Sequence, residues 1–273
     1  MGIITISRTH GSGGTMFARE LAKRLGYLFI NRTYINNDCQ ESDYHICMFG
    51  DEDDISPRLR KNMQDLMADA NFHKVSMIAN ILDRALKNNA VFLGMGAGIV
   101  LSGISNTINL RVVRLLEERV KAIAQVKNIP YDDSFDLIEK MDEGKEDYIA
   151  RYFDADVNDP ALYHLMINSS HISLDDAVDI VANYLYKHFT PSHTKEAETA
   201  LKNRLLEKRA EILLFRLGMM HSYGNVTFHA SGDGILSIAG VLRNEAEKDL
   251  LLQTLGNNKD IKEIKANVHT GVL

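Results

Sequence analysis

Arg8-Thr9-His10-Gly11-Ser12-Gly13-Gly14-Thr15 combines the residue types that hold an anion with backbone groups. Glycines let successive N–H groups converge on one point, and the N-terminus of the helix that follows adds partial positive charge. The chemistry expected of such a turn is the cradling of a phosphate. A nucleotide-binding loop of the form G-x-x-x-x-G-K-[ST] laid on this stretch puts Arg8 at the first glycine and Gly14 at the lysine. Thr15 keeps the hydroxyl position that contacts Mg²⁺ or a phosphate. The cradle is present and its usual cation is missing. Arg8, at the end of the preceding strand, can substitute if its guanidinium reaches the phosphate site.

The loop needs a strand before it and a helix after it. Ile3, Ile4 and Ile6 supply the strand, and Phe17, Ala18, Leu21, Ala22 and Leu25 recur at helical spacing. That spacing predicts a helix from Thr15 to Leu25, closed by Gly26. Tyr27–Ile30 and Ala90–Leu93 are short, wholly apolar runs that suit buried parallel strands, and Ile108–Val113 and Leu165–Asn168 supply two more. Asp38–Asp54 is polar, acidic and without period, so an irregular segment is expected. Ser56-Pro57 starts a helix running to about Asn88, which buries Leu59, Met63, Leu66, Met67, Val75, Ile78, Ile81, Leu82 and Leu86. Further helices are expected over Glu117–Lys127, from Asp133 to about Tyr152, and over Ala177–His188 behind a capping box at Ser173–Asp176.

Strands separated by helices argue for an α/β domain, a parallel sheet with helices on both faces. Thr190-Pro191-Ser192-His193-Thr194 interrupts that alternation and reads as the boundary between a domain over 1–190 and another over 200–273. Beyond it come a helix over Ala200–Leu217, strands over Asn225–Ala230 and Ile235–Gly240, a helix over Asn244–Leu255 and a strand over Ile261–Val268. Gly232-Asp233-Gly234 between alternating strands is a hairpin signal, so this second domain is small and α+β.

The 273 residues are 45% apolar and 25% charged, ordinary for a globular protein. No apolar run has the length of a membrane span, and the N-terminus reads as a strand, not a signal peptide. Cys39 and Cys47 form no metal motif and are read as reduced thiols of a cytoplasmic protein. The net charge of −6 argues against a nonspecific nucleic-acid binder. Of the 31 basic and 37 acidic residues, 10 and 8 lie in 200–273, which leaves 21 and 29 in an acidic N-terminal part.

Residues 1–188 resemble the cytidylate kinase-like family, relatives of nucleoside monophosphate kinases. The resemblance rests on blocks in order: Ile4-Thr5-Ile6-Ser7-Arg8 with Gly11-Ser12-Gly13-Gly14; Phe29-Ile30-Asn31-Arg32; Phe92-Leu93-Gly94-Met95-Gly96-Ala97; Glu118-Arg119; Asp142 to Arg151; and Asp159-Pro160 with Leu165-Met166-Ile167-Asn168. It implies a P-loop kinase fold with a five-stranded parallel core, binding ATP and Mg²⁺, and a lid of basic residues over the transferring phosphates. On that reading Arg8, Gly11, Ser12, Gly13, Gly14 and Thr15 hold the nucleotide. Arg32, Gly94 and Gly96 face the acceptor, and Arg119, Lys145 and Arg151 neutralise charge under the lid. The chain departs from the family pattern at Gly14 for lysine, at Thr15 where many relatives carry arginine, at Met95 within a block usually read Gly-Arg-Gly, and at Lys145 for arginine. Each absent cation is worth about 2.7–4 kcal/mol of transition-state stabilisation.

Residues 200–273 resemble the BON domain, on Gly232-Asp233-Gly234-Ile235-Leu236-Ser237-Ile238-Ala239-Gly240-Val241 and Ile261-Lys262-Glu263-Ile264, with Asp260 replacing a familiar glycine. Such modules are associated with phospholipid or ligand binding and carry no catalytic residues. Lys202, Arg204, Lys208 and Arg209 form a basic run on its first helix, read as a solvated face ahead of a lipid-headgroup site. Two functions follow from the resemblances. One is a cytoplasmic bacterial kinase passing phosphate from ATP to a nucleoside monophosphate, CMP-like, or a related small acceptor. The other is a sensor that binds nucleotide without turnover, its BON-like domain taking a lipid, small ligand or protein. Expected partners are a nucleotide or small molecule and a second copy of the chain, with peripheral lipid contact through the BON-like domain.

Overall fold

The computed structural model describes residues 2–38, 70–232 and 234–271. Cys39, Cys47, the expected irregular segment and the first part of the helix expected from Ser56, with Leu59, Met63, Leu66 and Met67, lie outside the described residues. The elements in order are β1 (Ile3–Arg8), α1 (Gly14–Leu25), β2 (Leu28–Ile30), α2 (Arg32–Asp38), α3 (Ala70–Lys87), β3 (Ala90–Leu93), α4 (Ala97–Val100) and β4 (Thr107–Val113). They continue with α5 (Leu116–Lys127), α6 (Tyr131–Phe153), β5 (Leu165–Asn168), α7 (Leu174–His188), α8 (Pro191–Arg216), β6 (Val226–Ser231), β7 (Ile235–Leu242), α9 (Glu245–Gly256) and β8 (Glu263–Thr270). The described residues divide into two compact units, one of 2–38 with 87–197 and one of 70–86 with 198–271.

In the first unit five parallel strands lie in the order β2-β3-β1-β4-β5. Central parallel strands are covered on both faces; β3, Ala90-Val91-Phe92-Leu93, is accordingly apolar throughout, whereas β1 and β4 carry polar residues at alternate positions. One face is apolar: Ile4, Ile6, Val91, Leu93, Leu110 and Val112 meet Phe17, Ala18 and Leu21 of α1 and Val178 and Val181 of α7. The other face carries a buried polar ladder at registered positions of β1 and β4, with the Thr5 hydroxyl donating to Asn109 and Arg111 donating to Ser7. Local signals set the ends. Gly26 closes α1 in the left-handed conformation, and the Ser173 hydroxyl accepts from the Asp176 N–H to start α7.

The stretch expected to break the chain at Thr190–Thr194 instead starts a helix. Pro191 is the first residue of α8, so the helix expected from Ala200 begins nine residues earlier. Asn106 explains the start: its side chain accepts from the Thr190 N–H and donates to the Thr190 carbonyl and the Thr194 hydroxyl. Proline at a first helical position lacks only an N–H that the helix would leave unbonded.

In the second unit β6 and β7 form the expected antiparallel hairpin, and β8 adds parallel to β7. The core joins Leu206, Ala210 and Leu214 of α8 to Phe228, Leu236 and Ile238 of the sheet and Leu251 and Leu255 of α9. Alternate residues of β6 are buried and exposed, the pattern of a sheet covered on one face. Asp83 on α3 pairs with Arg84 and with Arg209 of α8. Among the described residues no helix is long and apolar enough to cross a membrane.

Candidate phosphate-binding site

The loop from Thr9 to Gly13 leaves the carboxyl end of β1, at the centre of the sheet, and delivers its backbone to the first turn of α1. Local bonds fix its shape. The Thr9 N–H donates to the Val112 carbonyl, and the Ser12 N–H and hydroxyl both donate to the Thr9 carbonyl. From the loop after β5, the Ser169 hydroxyl donates to the Ser12 carbonyl at 2.8 Å. Gly13 caps α1 with φ of 79°, a left-handed conformation that a Cβ would strain. No side chain caps this helix end, so its first N–H groups stay directed at the loop's concavity. Thr15 is exposed one residue into α1.

Two cations expected in the lid meet at this loop through Asp142. Asp142, on α6, accepts from the His10 N–H at 2.7 Å and from Arg119 at 2.5 Å. Lys145, one turn further along α6, approaches the same carboxylate at 3.3 Å. Arg119 also donates to the His10 carbonyl at 3.1 Å. A carboxylate therefore sits on an amide of the loop, with two positive side chains gathered round it. No local pattern signals this, since His10 and Asp142 are 132 residues apart.

The electrostatics match that crowding of cations. The His10 imidazole titrates below its usual value of 6.5, first because it is buried and then because Lys145, Lys127 and Arg8 oppose a further positive charge; Asp142 partly offsets them. Three buried polar atoms here lack a hydrogen-bond partner among the described residues: the Thr9 hydroxyl, His10 Nε2 and Arg119 Nε. Buried polar groups are normally satisfied, so three orphans round one loop fit a site made for a polar ligand. Close packing accounts for two of the loop's glycines: a Cβ at Gly11 would press on Arg119 and Ile123 and one at Gly13 on Leu174.

The residues expected to face the acceptor lie on α2 and on the turn after β3. Arg32 stacks over the Tyr148 ring at 5.7 Å, and burial pushes the Tyr148 phenol up to about 12. Gly94, Met95 and Gly96 all have positive φ, and Met95, at 63°, holds a strained conformation while 93% buried. A Cβ at Gly96 would enter the Phe153 ring of α6, and one at Gly94 would meet Arg8. Arg151 is exposed on α6 with its guanidinium over Tyr152.

Arg111 is a buried cation of β4 that has no part in the sequence expectations. Its partners are neutral: Ser7 at 3.0 Å, Tyr163 at 3.3 Å and Asn158 at 2.6 Å. In the second unit, two members of the basic run on α8 are engaged by carboxylates, Lys208 by Glu211 and Arg209 by Asp83 and Asp260.

A parallel sheet of this order, with a glycine loop between its central strand and the following helix, has the P-loop kinase fold. The family model described as "Cytidylate kinase-like family" matches residues 3–171. The chain belongs to that family. It is 22% identical over 184 residues to a cytidylate kinase of Sulfurisphaera tokodaii, covering 67% of this chain and 94% of that one. It is 25% identical over 181 residues to a cytidylate kinase of Methanoregula boonei, covering 66% and 91%. Among solved structures, an uncharacterized protein from Eubacterium ventriosum aligns with a TM-score of 0.49 at 19% identity, over 68% of this chain and 99% of that one. Shikimate kinase from Acinetobacter baumannii aligns with a TM-score of 0.41 at 12% identity, over 68% and 94%.

Proposed function

We propose that this chain binds ATP with Mg²⁺ at the loop between β1 and α1 and passes a phosphoryl group to a nucleoside monophosphate or a related small acceptor. The observation that carries the reading is the meeting of loop, helix N-terminus and lid cations, with three unpartnered buried polar atoms among them. Membership of the cytidylate kinase-like family supports the reaction class. Bound ATP–Mg²⁺ supplies the transferable phosphoryl group. The protein's part is positional and electrostatic, because phosphoryl transfer asks for little else. The backbone of Gly11–Gly14 holds phosphate oxygens, and Thr15 offers its hydroxyl to Mg²⁺ or to a phosphate. Arg119 and Lys145, already at the loop, neutralise the charge that develops there. Arg151, on the same helix as Lys145, is the third cation we assign to the lid, and Arg32, Gly94 and Gly96 border the acceptor.

The second unit we read as a BON-like module, supported by its helix–hairpin–helix–strand order and its three-stranded mixed sheet. Its ligand would be a lipid, a small molecule or a protein. Along the sequence we propose domains of 1–190 and 200–273, with 70–86 grouping with the second compact unit, and the chain working as a homo-oligomer. The test is calorimetric titration of the full chain with Mg–ATP. One saturable site is expected, with inorganic tripolyphosphate competing for it, and absence of saturable binding overturns the reading. Binding without transfer to any monophosphate would instead support the sensor.

A further inference from the structure

Gly14 stands where a nucleotide-binding loop of this kind carries its lysine, and the space beside it is not empty. A Cβ built on Gly14 would lie 2.6 Å from the Cβ of Arg8, 3.0 Å from its Cγ and 3.3 Å from Cβ of Val112. Carbon atoms do not approach so closely without displacement, and the obstacle here is the root of a side chain fixed to a central strand. The far end of the same arginine accounts for a second glycine. A Cβ on Gly94 would lie 2.5 Å from Arg8 Nη1 and 3.6 Å from Cζ. Arg8 therefore leaves the last position of β1, passes beneath the first turn of α1 and ends at the turn after β3. Its charge is felt at His10 on the loop itself.

We infer that Arg8 is the phosphate-binding cation of this loop, delivered from the strand end through the space that a lysine at position 14 would need. Gly14 and Gly94 are the room made for it. The inference rests on the nucleotide-binding reading above and deepens it by naming the group that does the lysine's work. The replacement is not equivalent. An ammonium is a point charge on a flexible stem, whereas a guanidinium offers two parallel N–H groups to phosphate oxygens from a fixed plane. Arginine at 8 and a side chain at 14 are alternatives, because both claim the same volume.

That exclusion makes the proposal testable by a mutant cycle on the full chain, read by Mg–ATP titration and by melting temperature. Arg8→Gln keeps much of the side chain's bulk and removes the charge; it should weaken Mg–ATP binding about 10- to 100-fold. Arg8→Lys should retain most of the affinity. Gly14→Lys alone should lower both affinity and melting temperature, because the new stem meets Arg8. Arg8→Gly with Gly14→Lys should recover affinity to within about tenfold of the parent, a strongly non-additive result. Parental affinity in Arg8→Gln, or simple additivity in the double variant, overturns the inference and leaves the nucleotide-binding reading in place. Failure of the parent chain to bind Mg–ATP overturns that reading, and this inference with it.

Discussion

Asp142→Ala is the perturbation whose consequence is best defined. The carboxylate accepts from the His10 N–H at 2.7 Å and from Arg119 at 2.5 Å, and lies 3.3 Å from Lys145. Arg119 and Asp142 side chains are only 11% and 19% exposed, so the pair is well shielded from water. Removing the acid leaves a loop amide and a buried guanidinium short of an acceptor. Breaking one side of a buried pair costs about 3–5 kcal/mol, and a charge-assisted hydrogen bond about 1.5–3 kcal/mol. The residual exposure and the second acceptor of Arg119, the His10 carbonyl, favour the lower end, about 3 kcal/mol. For a unit of this size that is a fall of about 6–12 °C in melting temperature. The control is Asp136→Ala, an exposed acid on the same helix, which should shift the midpoint by no more than about 1–2 °C. Thermal melts of the three proteins in one low-salt buffer decide the matter. Equal melting of Asp142→Ala and Asp136→Ala would refute the reasoning, since the carboxylate would then hold nothing.

Gly96→Ala should destabilise the first unit by about 1–3 kcal/mol, because its Cβ enters the Phe153 ring and its φ is 70°; pairing it with Phe153→Leu should recover part of the loss in a urea melt. The depressed imidazole of His10 gives a signed pH dependence. The folded state resists protonating it, so its contribution is present above the ordinary imidazole value near 6.5 and is lost as pH falls through the lower folded value. The urea midpoint of the parent should fall relative to that of His10→Gln as pH is lowered from 7.5 to about 5, because only the parent must charge a buried imidazole. Engagement of Lys208 and Arg209 by carboxylates predicts that vesicles rich in anionic lipid retain no more protein than neutral ones in flotation.

Much of the site's scaffold was legible because it is local. A strand of isoleucines, a glycine turn and an amphipathic helix announce themselves within 25 residues, and Gly26 and Ser173 mark ends by chemistry carried in a few neighbouring positions. The Asp-Gly hairpin is legible for the same reason. What stayed hidden depends on distant partners. Pro191 reads as a breaker until Asn106, from the loop before β4, is seen anchoring the turn in front of it. Asp142 reads as one more acid on a charged helix until the fold sets it on the His10 amide. Arg111 gives no local sign of burial because its partners Ser7, Asn158 and Tyr163 come from other parts of the chain. Gly14 reads as a lost lysine, and only the path of Arg8 shows why a side chain is excluded there.

The central claim, phosphoryl transfer at the loop after β1, is tested most directly by incubating the full chain with γ-labelled ATP, Mg²⁺ and each nucleoside monophosphate in turn. The account predicts a labelled diphosphate with at least one acceptor and its loss in Arg119→Ala. Saturable Mg–ATP binding with no labelled product from any monophosphate would contradict nucleoside monophosphate phosphorylation and leave the loop a nucleotide-binding one.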